Sequence, residues 1–168
     1  MRTHAIIRVA TLALALSACD DEPTRPAHEQ ELDRVRAATE KYQDVTRAIA
    51  DGYVDAKIVM QSMGHHYLNA SLLDDRFDPE RPELLVYAPE GGRLRLVAVE
   101  FAVPLDRAAT PPAGFAGTGD TWDRNTKYGL WTLHAWVWLD NAAGVFTAQN
   151  ARVQLDPGTL QGHVTGTH

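Results

Sequence analysis

The chain has 168 residues, a formal charge of −6 and one cysteine. A single cysteine excludes an internal disulfide and a thiolate metal cluster, and the acidic balance argues against nucleic acid and against electrostatic attachment to anionic lipid. The length suits one compact domain with a hydrophobic core rather than two.

Met1 to Arg8 is short and basic, with Arg2 and Arg8, and Val9 to Leu16 is a run of Val, Ala and Leu broken only by Thr11. This is the pattern of an export signal. The run is too short for a transmembrane helix, which needs about 20 apolar residues, and it ends in Ser17-Ala18-Cys19. The tetrad Leu16-Ser17-Ala18-Cys19 resembles the lipobox of bacterial lipoproteins, and a conventional signal followed by a chance cysteine is the plainer alternative. The resemblance implies that residues 1–18 are removed and that Cys19 carries diacylglycerol on sulfur and an acyl chain on its amine. Each buried CH₂ contributes about 0.8 kcal/mol, so two or three chains would hold the protein firmly at the cell envelope, facing the periplasm, with the membrane leaflet left open. Loss of Arg2 and Arg8 with the signal would take the charge from −6 to −8 and leave 150 residues.

Residues 19–28 then form the lipidated cysteine and a Pro-containing tether. From Glu29 the apolar residues Leu32, Val35, Ala38, Tyr42, Val45 and Ile49 recur at steps of three and four, which predicts one amphipathic helix stopped at Asp51-Gly52. Lys57 to Gln61 is a weak strand, and Leu84 to Ala88 and Leu94 to Val103 are stronger ones. Glu90-Gly91-Gly92 joins the stronger pair as a hairpin. Asp106 to Tyr128, rich in Gly, Pro and Thr, reads as a long loop that is either functional or poorly ordered. Leu130 to Leu139 is a further strand with Leu133, Ala135, Val137 and Leu139 on one face and Thr132, His134, Trp136 and Trp138 on the other. Residues 157–168 read as a flexible tail. The expected fold is α+β: an N-terminal amphipathic helix on an antiparallel sheet of four to five strands, forming a single domain over residues 29–156.

Four polar residues are candidates for a site, two of them flanked by apolar neighbours. Glu100 lies between Val99 and Phe101, and an ionised carboxylate there is costly unless paired or metal-bound. His134 lies between Leu133 and Ala135, and His65 and His66 follow Gly64 in a segment read as a loop. Imidazole and carboxylate together suit zinc or copper, so His66, Glu100 and His134, with His65 beside them, are candidate metal ligands. A hydrogen-bonded His–Glu pair with no further role satisfies the same residues. Trp136 and Trp138, with Tyr67, are candidates for an apolar pocket that would hold a small ligand or an envelope partner. No G-x-S-x-G elbow and no phosphate-binding Gly-rich loop is present, and whether the protein is an enzyme stays open.

Met63-Gly64-His65-His66-Tyr67-Leu68-Asn69, Pro82-Glu83-Leu84-Leu85-Val86-Tyr87, Leu96-Val97-Ala98-Val99-Glu100-Phe101 and Leu133-His134-Ala135-Trp136-Val137-Trp138 resemble the blocks of an uncharacterised family of exported bacterial proteins. Its members read M-G-x-H-Y-x-N, P-E-x-L-x-Y, L-V-x-V-E-Y and L-H-x-W-x-W, closing on a G-x-F-x-x-x-N-x-x-V that Gly144 to Val153 resembles. The likeness covers about residues 35–153 and carries no activity with it. It implies that His66, Glu100 and His134 are the polar members of these motifs. Members often have a further histidine in the loop before the last strand, where this chain has none.

Overall fold

The computed structural model describes residues 25–117 and 119–156, so the signal, Cys19 and the tail from 157 onward lie outside the described residues. Helix α1 runs from Ala27 to Thr39, two residues earlier than the apolar period suggests, with Pro26 ahead of it. Arg25 braces its first turns through Glu29 at 3.3 Å and Asp33 at 2.7 Å. The single long helix expected from the sequence is broken. The Thr39 hydroxyl donates to the Val35 carbonyl at 2.7 Å, a bond that bends helices, and Glu40–Gln43 tightens into a 3₁₀ turn. Asp44 then adopts an extended conformation and caps α2, Val45–Ala50, by accepting from the Thr46 amide. Its capping chemistry outweighs the continuous apolar stripe, and Ile49 at the end of that stripe is left 54% exposed.

Six strands follow: β1 Val54–Met60, β2 Gly64–Leu68, β3 Leu84–Glu90, β4 Arg93–Pro104, β5 Asp123–Asn125 and β6 Leu130–Ala135. They form one antiparallel sheet in the order β1-β2-β3-β4-β6-β5. The α+β class and the N-terminal helix agree with the sequence reading, and the sheet is larger than the four to five strands expected. The additions are β2, read from sequence as a loop, and the short β5 inside the segment 106–128. The β3–β4 hairpin turns on Gly91 and Gly92, with φ of 59° and 79°, the left-handed pair that a two-residue connection needs.

One face of the sheet lies under the helices. Leu85, Tyr87, Leu96, Val99, Phe101, Val103, Leu133 and Ala135 are buried there with Leu32, Val35 and Tyr42. Burial of each large side chain contributes about 1.5–3 kcal/mol. The Tyr87 hydroxyl donates to the Tyr42 carbonyl at 2.8 Å, tying β3 to the break between the helices. Phe77 and Phe115 pack edge-on against Phe101 from the connecting segments, and Phe115 and Trp122 are the buried residues of 106–128, most of whose described residues are exposed. On the opposite face Val86, Ala98, Trp136, Val153 and Leu155 form a second apolar cluster at one end, and the other end is left for a cavity.

The last strand ends earlier than the alternation predicts. The Val137 amide bonds the Ala135 carbonyl at 3.0 Å, a three-residue turn that resets which side chains face which way. Trp136 and Trp138 therefore do not share a face. Trp136 joins the second cluster, and Trp138 packs on the helix side with its ring N–H donating to Thr39 Oγ1 at 3.1 Å.

Candidate functional site

The site begins with a glycine. Gly64 has φ of +119°, a conformation L-residues avoid, and a Cβ there would land on the Tyr87 carbonyl oxygen. Without a side chain, β2 can close against β3, which sets the register Tyr67 with Leu85 and His66 with Val86. His66 then faces away from the helices, on the same face as Glu100, which is paired with Leu84 on one side and His134 on the other.

His66, Glu100 and His134 converge on this face from β2, β4 and β6. They are 2%, 6% and 5% exposed, and one ligand atom from each lies within 4.8 Å of the others. Glu100 is central: its Oε2 is 3.7 Å from His66 Nε2 and its Oε1 is 3.5 Å from His134 Nδ1. Both separations exceed the hydrogen-bond range of about 2.7–3.2 Å. They approach the edge of a zinc tetrahedron, about 3.3 Å for bonds of about 2.05 Å.

The charges fit the same description. Burial pushes the Glu100 carboxyl above its ordinary range, with His66 and a hydrogen bond from Thr132 opposing it. Burial also lowers His66, against the attraction of Glu100, and takes His134 down to about 4. Both imidazoles are therefore neutral near pH 7, so the two His–Glu contacts are not ion pairs. His66 Nδ1 lies 3.2 Å from the Ile58 carbonyl, which only accepts, so Nδ1 carries the hydrogen and Nε2 turns its lone pair toward Glu100. A carbonyl orienting the far nitrogen is the usual support for a metal-binding histidine. His134 lies against the Trp136 ring with centroids 6.4 Å apart, and its Nε2 is buried without a hydrogen-bond partner.

A cavity of about 240 Å³ opens over His66 and Glu100. Its walls are Ile58, Met60, Met63, Leu68, Leu73, Leu84 and Leu130, with Thr132 beside Glu100 and Asn125 and Tyr128 at the far side. The tryptophan pocket expected from the sequence is not this cavity. Trp136 stands behind His134 with its ring N–H donating to the Thr147 carbonyl, Trp138 is under the helices, and Tyr67 packs on Tyr87 on the helix face. His65 also lies outside the trio: as the neighbour of His66 in an extended strand it projects from the opposite face.

The sequence reading also passed over Thr132, the aliphatic walls and Glu83. Glu83 is 3% exposed, and burial raises its carboxyl to about 8 even though its Oε2 accepts from the Ala102 amide at 2.9 Å. Its place between Pro82 and a run of buried β3 residues was the available signal. No family model, curated protein or solved structure matches the chain.

Proposed function

We propose that this protein is an envelope lipoprotein, anchored through Cys19, whose folded domain binds a divalent metal, zinc or copper, through His66, Glu100 and His134. The observation that carries the metal assignment is the trio itself: two neutral imidazoles and a carboxylate, buried together at separations too long for hydrogen bonds and close to ligand–ligand distances. A hydrogen-bonded structural pair would draw in to about 2.8 Å, shorter than either contact. Two histidines and one carboxylate would leave a position open to a small ligand, and two of the three, His66 and Glu100, line the cavity. Binding of a small molecule and binding of metal are then parts of one site.

Elemental analysis after exposure to zinc or copper is expected to find one metal per chain, lost in both His66→Ala and His134→Ala. Retention of metal by both variants would remove the trio from its role. The anchor is tested separately by mass spectrometry of the membrane fraction. Acylated wild type beginning at Cys19 is expected, and a freely soluble protein cleaved elsewhere would refute it.

A further inference from the structure

Resting on the metal centre proposed above, we infer that the cavity binds a monocarboxylate with an unbranched hydrocarbon tail of about eight carbons, its head on the open metal position and its tail along the aliphatic wall. Size, wall chemistry and charge each point to this class. An engineered apolar cavity of about 150 Å³ accepts benzene, which has six heavy atoms, so about 240 Å³ has room for roughly ten. Octanoate has that number. The wall formed by Ile58, Leu68, Leu73, Leu84 and Leu130 offers no hydrogen-bonding side chain, so most of the occupant must be hydrocarbon.

The polar end sets the head group. A divalent ion with Glu100 as its one anionic ligand leaves a single positive charge in a buried setting, where an uncompensated charge is expensive and a monoanion cancels it. No Lys, Arg or Asp lines the cavity, so without metal a carboxylate would meet Glu100 and His66 at the polar end and no cationic side chain, only the uncharged Asn125, Tyr128 and Thr132 elsewhere on the wall. Carboxylate binding must then depend on metal. Thr132, whose hydroxyl donates to Glu100, fixes the orientation of that carboxyl at the polar end of the cavity. The rim is open where Met60 and Tyr128 are 42% and 40% exposed, giving a flexible thioether and an aromatic edge past which a tail can enter.

The test uses the full chain loaded with cobalt(II) as a coloured substitute for zinc. Metal retention is measured first, and the visible spectrum is then titrated with acetate, butanoate, octanoate, hexadecanoate and octanol. Octanoate is expected to shift the spectrum with an affinity at least tenfold tighter than acetate or octanol, and the metal-free chain is expected to bind it at least tenfold more weakly. Leu73→Trp, which fills the cavity from a connecting segment, is expected to weaken octanoate at least tenfold while keeping the metal and the acetate response. Equal affinity for acetate and octanoate would show that the tail is not held, and equal affinity for octanol would show that the head is not. Either result overturns the assignment, as does full octanoate binding by Leu73→Trp. If that variant does not fold, the chain-length series decides alone, and an optimum away from about eight carbons counts against the inference. Metal retained with no octanoate response overturns the ligand and leaves the centre standing; failure to retain metal overturns both.

Discussion

Gly64→Ala is expected to lower the free energy of unfolding by about 3–5 kcal/mol. Two costs combine. A φ of +119° is a region open essentially to glycine alone, worth about 1–3 kcal/mol of strain for alanine. The new methyl would also collide with the Tyr87 carbonyl oxygen, which belongs to the neighbouring strand and cannot withdraw without opening the β2–β3 pairing. Gly91→Ala is the internal control: its φ is also positive, but nothing lies within 4 Å of the added carbon, and a loss of about 1 kcal/mol is expected. Urea denaturation gives both values, as a fall in midpoint at unchanged slope. A Gly64→Ala protein within about 0.5 kcal/mol of wild type would show that β2 is not held where the description above places it. A partial loss should also appear at the metal centre, because His66 is two residues along the same strand.

Glu100→Gln is expected to abolish metal binding, weakening it by about 100-fold or more, while leaving the metal-free protein as stable as wild type or up to about 3 kcal/mol more stable. In wild type without metal, a carboxyl 6% exposed and pushed up by burial stands beside two imidazoles at 3.5 and 3.7 Å, with Thr132 hydrogen-bonded to it. A half-satisfied buried carboxylate costs about 1–3 kcal/mol relative to a satisfied neutral group. The glutamine amide keeps the shape, removes the charge and can donate to the His66 Nε2 lone pair. Parts of a protein maintained for binding are commonly bought at the expense of stability, and their removal then stabilises the fold. Thermal or chemical unfolding with and without zinc measures both effects. A metal-free Glu100→Gln protein less stable by more than about 1 kcal/mol would mean that Glu100 holds the sheet together, and the metal assignment would fall with it.

The helix at the N-terminus and the β3–β4 hairpin were legible because their signals are local. Leu32, Val35 and Tyr42 keep the helical period, and Gly91-Gly92 sits between two apolar runs. The break at Thr39 to Asp44 was not, because a cap competes with a stripe and the period carries no record of the cap. Strand β2 was hidden for a different reason. Gly-His-His-Tyr-Leu has little strand character of its own, and its conformation is imposed by the close approach of Gly64 to Tyr87.

His66, Glu100 and His134 could be singled out as polar residues in apolar company, since dehydration is a local cost. Their convergence depends on register, Glu100 opposite His134 and His66 opposite Val86, which no single segment specifies. The tryptophans were read as sharing one face because strand alternation was carried past the point where the strand ends. The turn at Trp136 sends Trp136 and Trp138 to opposite layers, and the cavity is walled by aliphatic residues from five separate segments.

The three candidate ligands come from β2, β4 and β6, no two of which are adjacent in the chain, and each lies more than thirty residues from the next. In a disordered polypeptide the three are therefore not held together, and a metal bound by all three would not nucleate folding. Assembly must proceed the other way, with the slow non-local pairing of strands finished before coordination begins. On the proposed centre, the ion first taken up would be whichever suitable one surrounds the protein where its sheet closes.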